Sequence, residues 1–201
     1  MKKLIIPFIL FSLLAFNVAP DTISKAERKF GVAELEKTQK HLKNTIKNLS
    51  EEQINFKPTK ESWSIAECLE HITISENTFS EMLTGSLKTP ADPTKRGDVT
   101  MSDDKLLAFI TTRDTKVKTS KSFEPSGKYG SYEETLTNFN SKRKENIKFI
   151  KKTKEDLRNH YGKLPFATID GFQILIFMSG HTERHVKQMK EIKSHKDFPK
   201  N

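Results

Sequence analysis

Apolar residues recur every three or four positions along four long stretches of the chain, with polar and charged residues between them. This period is typical of one face of an α-helix. The first two stretches are residues 24–49 and 64–85. The third begins at residue 131 and ends before a connection at 156–168, and the fourth covers residues 169–193. In the first of them the apolar positions are Leu35, Leu42, Ile46 and Leu49. The pattern therefore predicts four long amphipathic helices.

Start signals support three of these helices. A serine followed three residues later by a glutamate forms a capping box, which satisfies free N–H groups at a helix N-terminus. The pairs are Ser24 with Glu27, Ser64 with Glu67, and Ser131 with Glu134. The fourth helix is apolar on all sides over residues 172–178, which predicts that it is buried by its neighbours.

The remaining segments are shorter and less regular. A brief helix is predicted after Ser50, and Pro58 stops it. Residues 86–130, called the insertion below, contain several prolines and glycines and one predicted short helix at 102–110. With only 8 glycines and 8 prolines in the chain, we predict an all-α fold, a four-helix bundle that occupies residues 24–196 as one domain.

The N-terminus has the pattern of a secretory signal peptide. Lys2 and Lys3 precede an almost wholly apolar run at 4–16, and small residues follow before the charge pattern changes at Asp21. We assign residues 1–20 to the signal peptide, with cleavage within 17–22, and expect an exported protein. The run is shorter than a membrane span, so we expect no integral span after the leader is removed; an uncleaved anchor is the alternative.

Charge and cysteine content narrow the function classes. The formal net charge is +9, but the lysines are spread over every predicted helix and loop, whereas a nucleic-acid site needs a clustered basic surface. A lysine-rich solvated surface is therefore the favoured interpretation, and a nucleic-acid partner is not expected. Cys68 is the one cysteine, so an internal disulfide and a zinc ribbon are both excluded.

Three histidines are the candidate metal ligands. His181 and His185 are four residues apart in the fourth helix, so both imidazoles lie on one face and can reach one divalent ion. A protein metal site needs at least a third ligand, and His71 in the second long helix is the best candidate. Surface histidines, or core histidines bonded to carbonyl groups, are the alternatives. Thr182 stands where a zinc metalloprotease has a glutamate, so that class is not indicated.

Other residues near these histidines have weaker cases. Arg143 interrupts an apolar line, so it either faces the same cavity as a substrate anchor or packs its stem and extends its head to solvent. Glu67 and Gln188 are within helical reach of His71 and His185 as supporting partners. Cys68 is a soft neighbour of the site or, more often, a core residue. Three further side chains have no role in this scheme: His41 without a partner, Glu183 on another helix face, and Trp63 packed on the first helical turn.

The chain resembles the DinB-like, YfiT-related family of four-helix bundle proteins. The resemblance covers about residues 25–195 and rests on the order and spacing of several weak motifs. These are Ile54 and Phe56 before Pro58, Trp63-Ser64-Ile65-Ala66-Glu67 with His71, Arg143, and Gly180-His181 with His185 and Gln188. The resemblance implies an up–down–down–up bundle in which His71, His181 and His185 bind one divalent metal, often zinc or nickel.

The resemblance also implies metal-dependent chemistry on small molecules. Such proteins are transferases that act on low-molecular-weight thiols, isomerases that use such a thiol, or hydrolases. A signal peptide is unexpected for a cytosolic thiol transferase. Our hypothesis is therefore an exported metal-dependent transferase or hydrolase with a small-molecule substrate, and a homodimer is kept open. A metal- or small-molecule-binding bundle without turnover is the alternative.

Overall fold

The computed structural model of the protein describes residues 23–114 and 118–200. The predicted signal peptide and its cleavage region at 17–22 lie outside the described residues. Four long helices dominate the described part of the chain. They are α1 (Lys25–Ile46), α3 (Ile65–Ser86), α5 (Tyr132–Lys152) and α6 (Gly171–Lys193).

The starts of α1, α3 and α5 are the predicted ones. Ser24, Ser64 and Ser131 each accept a hydrogen bond from the N–H three residues on, and the glutamate there accepts one from the serine N–H. α6 begins two residues later than predicted, because Asp170 caps it by accepting from the Gln173 N–H at 2.8 Å.

The long helices pack side by side, with α6 in contact with both α1 and α3. Every residue of α6 from Gly171 to Gly180 is buried, as its apolar sequence predicts. Polar contacts between the helices show their relative directions. Thr38 of α1 contacts Ser179 of α6, and Lys193 further along α6 donates to the Thr45 carbonyl further along α1.

α3 runs parallel to α5 and antiparallel to α6. Along α3 and α5, Thr73 contacts the Thr135 carbonyl and Ser80 contacts Asn146, so residue numbers rise together. Between α3 and α6, His71 meets His181 while Phe79 meets Phe177, so residue numbers run against each other. α3 therefore brings its first turns beside the middle of α6.

Short helices occupy the other predicted segments. α2 (Glu51–Asn55) follows Ser50, and α4 (Asp103–Thr111) lies in the insertion. α4 packs closely on α6, where Ile110 and Leu107 lie over Gly180. Within the described residues, three 3-10 helices lie in the connections, at Pro93–Asp98, Lys121–Phe123 and Leu157–Asn159.

The all-α prediction needs one correction. The connection at 156–168 is not a plain loop, because β1 (Tyr161–Leu164) and β2 (Ala167–Asp170) form an antiparallel hairpin just before α6. Gly162 of β1 lies against Met82 and Ile174 and leaves no room for a side chain. Backbone groups held so close to the bundle need partners, and strand pairing supplies them.

None of the helices in the described ranges, 23–114 and 118–200, has the length and apolar character to cross a membrane.

Candidate metal centre

The three predicted histidines come together between α3 and α6. One ring nitrogen from each of His71, His181 and His185 lies within 4.8 Å of the other two. The Nε2 atoms of His71 and His181 are 3.3 Å apart. Tetrahedral zinc with Zn–N bonds of about 2.0–2.1 Å has nitrogen ligands about 3.4 Å apart. The donor set and its spacing therefore fit a divalent metal ion.

The outer nitrogens of two rings are held by the protein. His71 Nδ1 donates to the Phe123 carbonyl at 2.7 Å, and His185 Nδ1 donates to Gln188 Oε1 at 2.9 Å. A neutral imidazole with its proton on Nδ1 has a lone pair on Nε2. These bonds thus select the tautomers in which Nε2 can bind a metal, which is the usual arrangement around metal-ligating histidines.

Gln188 is the partner predicted for His185, whereas the prediction for His71 is wrong. Glu67 instead accepts from the Ser64 N–H and from Lys57. Glu67 is close to His71 in sequence, but its carboxylate is part of the capping box. The true partner, the Phe123 carbonyl, is 52 residues away in the insertion, so no local pattern could have identified it.

The environment of the rings favours their neutral form. His71 and His185 are buried and His181 is partly so. Burial lowers the pKa of His71, and burial together with the neighbouring imidazole of His71 lowers the pKa of His181 well below 6.5. The pKa of His185 is lowered well below 6.5 by burial and by the other two histidines. A neutral imidazole is the form that binds metal, so the site is prepared for it.

Aromatic side chains surround the histidines. Trp63 lies 4.8 Å from the His71 ring and 6.2 Å from the His185 ring, measured between centroids. Its predicted role as a packing residue thus extends to the site. Phe177 stacks on His181, with 5.8 Å between the ring centroids and an angle of 10° between the planes. Phe79 contacts the ring of His181, and Phe123 contacts that of His71. These four side chains form the aromatic wall of the site. Among the described residues, the cluster includes no carboxylate or thiol ligand.

The protein profile of the DinB superfamily matches residues 34–189 of this sequence, which include all three histidines. The chain belongs to the DinB superfamily. This membership confirms the resemblance noted from the sequence motifs.

One protein sequence and one solved structure are similar to this DinB-superfamily chain. It is 29% identical over 151 residues to the uncharacterized protein YuaE of Bacillus subtilis (strain 168), a match that covers 75% of this chain and 89% of YuaE. Its fold is similar to that of YfiT from Bacillus subtilis, with a TM-score of 0.56, 15% identity, and coverage of 86% and 89% of the two chains. YfiT is described as a probable metal-dependent hydrolase with an unusual four-helix bundle topology. At this identity the likeness establishes a shared fold.

Arg143 lies in the bundle core of this DinB-superfamily chain, and its side chain is 0% exposed. It pairs with Glu76 through two bonds of 2.8 Å. Its other N–H groups donate to the Leu35 carbonyl, Thr38 and Thr182. The expectation that its head reaches solvent is therefore wrong. These contacts use all five guanidinium donors, and the role of Arg143 as a substrate anchor stays a prediction.

Two other side chains near the site also have assigned places. Cys68 is buried among apolar residues of the core, and burial raises the pKa of its thiol. This favours the packing interpretation. His41, expected to lack a partner, instead contacts Glu183 with 2.8 Å between Nδ1 and the carboxylate. The pair joins α1 to α6 on the face of α6 that points away from the histidine cluster.

Sequence reasoning missed one further residue at the site. Arg113, which follows α4 in the insertion, pairs with Glu191 through two bonds of 3.1 and 2.7 Å. Its Nη1 also approaches Gln188 Oε1 at 3.4 Å, the atom that accepts from His185. Since Arg113 is 75 residues from Gln188 in sequence, only the folded insertion brings them together.

Proposed function

We propose that this protein binds one divalent metal ion through His71, His181 and His185 and uses it to hydrolyse a small molecule. The observation that carries the proposal is the convergence of three imidazoles whose Nε2 atoms are as close as 3.3 Å. Buried nitrogen lone pairs at this distance repel each other unless a proton or a cation lies between them. A ligand set of imidazoles suits zinc or nickel.

The chemistry that such a metal supplies is acidification of a coordinated water or thiol, which yields a nucleophile near neutral pH. The chain's own residues hold the imidazoles with hydrogen bonds and line the site with an aromatic wall. The aromatic wall favours a substrate that is apolar beside its reacting group. The description of YfiT supports hydrolysis over thiol transfer.

One observation favours a second candidate function. His71 is 4% exposed and His185 6% exposed, which suits a closed metal-binding bundle without turnover. Solvent access separates the two candidates. Added thiols or anions should change the visible spectrum of the cobalt-substituted protein if the metal has an open position. Bands that stay unchanged support the closed site.

We also infer an up–down–down–up order for the four long helices. In its support, the contacts between α1 and α6, and those between α3 and α5, join residues whose numbers rise together. Export through a signal peptide at residues 1–20 is part of the proposal and rests on the sequence pattern alone. N-terminal sequencing of the protein recovered from cells would test it, with a start within residues 17–22 as the expected result.

The decisive experiment is the metal content of the protein from residue 22 onward, purified without a histidine tag. We expect about one equivalent of zinc or nickel in the wild type and almost none in His71→Ala or His185→Ala. His41→Ala is the matched control, since His41 contacts Glu183 instead of the cluster, and it should retain its metal. Ester hydrolysis is then assayed with the loaded protein. A wild type that stays metal-free after incubation with zinc and nickel would refute the proposal.

A further inference from the structure

A segment of the insertion is fastened to α3 directly beside the metal centre. The carboxylate of Glu70 accepts hydrogen bonds from the backbone N–H groups of Ser126 at 3.0 Å and Lys128 at 2.8 Å. The next residue of the helix, His71, donates to the Phe123 carbonyl. Two successive helix residues thus hold the 123–128 segment, and one of them is a candidate metal ligand.

The same segment also packs against the apolar side of the site. The ring of Phe123 stacks on that of Phe79 with 5.8 Å between centroids. Phe79 in turn contacts the ring of His181. The segment therefore touches the site through one backbone carbonyl and one aromatic ring, while the bonds to Glu70 fix the residues that follow.

We propose that Glu70 is a positioning residue, which clamps the 123–128 segment so that the Phe123 carbonyl holds His71 for metal binding. A second part follows: metal occupancy and the docking of this segment stabilise each other. The inference rests on the proposed metal centre and extends it from the ligands to a part of the insertion. Glu70 itself touches neither metal nor substrate in this scheme, because its carboxylate is bonded to backbone N–H groups.

The physical link passes through the imidazole of His71. With a cation at Nε2 the ring would lose electron density, and the Nδ1–H group of His71 would be a stronger donor to the Phe123 carbonyl. Conversely, a docked carbonyl holds the proton on Nδ1 and leaves the lone pair on Nε2. Because coupling between two binding events is reciprocal, loosening the segment must weaken metal binding by the same factor as metal removal loosens the segment.

The experiment compares Glu70→Ala with the wild type and two controls. Glu70→Gln removes the charge but keeps an oxygen that can accept from the same N–H groups. Glu81→Ala removes the same charge three turns further along α3, from an exposed position. Zinc affinity is measured by competition with a chromophoric chelator. Hydrogen exchange of the Ser126 and Lys128 amides is followed with and without zinc.

We expect Glu70→Ala to bind zinc roughly tenfold more weakly, the scale usual for supporting partners of metal ligands. The Ser126 and Lys128 amides should exchange faster in this variant even without metal. In the wild type, zinc should slow their exchange. Glu70→Gln should lie close to the wild type, and Glu81→Ala should match it.

Three results would overturn the inference. Wild-type zinc affinity in Glu70→Ala, despite fast exchange at Ser126 and Lys128, would show that the clamp and the metal are independent. An equal loss of affinity in Glu70→Gln or Glu81→Ala would assign the effect to charge. No zinc binding by the wild type would refute the metal centre and with it the coupling. In that case the metal-free exchange data would still report whether Glu70 holds the segment.

Discussion

Arg143 and Glu76 form an ion pair that is enclosed by the bundle, with side chains 0% and 1% exposed. Replacing Arg143 by methionine keeps the bulk of the stem but removes both bonds to the Glu76 carboxylate. An uncompensated charge in a protein core is costly, so we expect Arg143→Met to lower the free energy of unfolding by about 3–5 kcal/mol. Urea denaturation of the two proteins measures this loss.

A neighbouring pair supplies the control for that substitution. Lys142 contacts Glu145 on the outer face of the same helix, where Glu145 is 60% exposed. Because solvent screens such a pair, Lys142→Ala should change stability by less than about 1 kcal/mol. If Arg143→Met were as stable as the wild type but bound its substrate poorly, the predicted substrate contact would be favoured over a structural role.

The three clustered histidines should make the metal-free protein sensitive to acid. Their folded-state pKa values lie below 6.5, the ordinary value, because burial disfavours the charged form. Below pH 6.5 the unfolded chain therefore binds more protons than the folded one, and acidification favours unfolding. Each group contributes at most about 1.4 kcal/mol per pH unit between its two pKa values.

Urea denaturation of the metal-free protein at pH 7 and at pH 5 tests whether acidification destabilises the folded state. We expect the free energy of unfolding to fall on acidification. The fall should be smaller in His185→Gln, which has one titrating group fewer in the cluster. An equal fall in both proteins would show that other groups cause the acid sensitivity.

The same residues show which parts of a site a sequence can predict. His181 and His185, and the bond from His185 to Gln188, are local features set by helical spacing. The partner of His71 is a backbone carbonyl. Every residue has one, so its role cannot be predicted from the residue type. The sequence shows Arg143 as a charge within an apolar line, and Glu76, its partner, interrupts an apolar line on another helix. Pairing the two requires knowledge of which helices touch.

At the scale of elements, Gly180 shows why α4 can lie so close to α6. A Cβ at this position would collide with Ile110 and approach Leu107 of α4. Gly180→Ala should therefore displace α4 and destabilise the protein by about 1–3 kcal/mol, as overpacking usually does. Gly85→Ala, near the end of α3, meets nothing within 4 Å. It should stabilise the protein by up to about 1 kcal/mol, because alanine favours helix over glycine.

Thermal unfolding of the two alanine variants beside the wild type measures this pair of opposite effects. A melting temperature that falls for Gly180→Ala and rises for Gly85→Ala is the expected result. Equal changes in both would mean that helix propensity, not the close approach of α4, determines the outcome at Gly180.

Element prediction succeeded where a signal repeats and failed where it is brief. The long helices carry many apolar positions in register, and capping boxes mark where three of them start. Each strand of the hairpin has only four residues, and buried and exposed positions do not alternate regularly along either strand. Such segments are too short to show the alternation that predicts a strand. Their pairing depends on the bundle surface against which Gly162 packs.

At the scale of the whole molecule, the beginning and the middle of α6 carry different polar networks. His181 and His185 lie near the middle of α6, whereas Arg158 binds three carboxylates around the beginning of this helix. These belong to Glu27 of α1, Asp103 of α4 and Asp170, the residue that caps α6. Asp170 is 11 residues before His181, or about 16 Å along the helix. The ion-pair network at the start of α6 is thus separated from the candidate metal centre.

Arg158→Leu should therefore affect stability without affecting metal binding. The substitution leaves the buried Asp170 carboxylate with Arg96 as its remaining cationic partner, and we expect the free energy of unfolding to fall by roughly 2–3 kcal/mol. Zinc affinity should stay within a factor of about two, because no contact of Arg158 reaches the histidines. Lys151→Ala, which removes an exposed pair with Glu36 at the same end, should change neither quantity measurably. A tenfold loss of zinc affinity in Arg158→Leu would instead mean that the ion-pair network and the metal centre act as one cooperative unit, with the order of the first turn of α6 transmitted to its histidines.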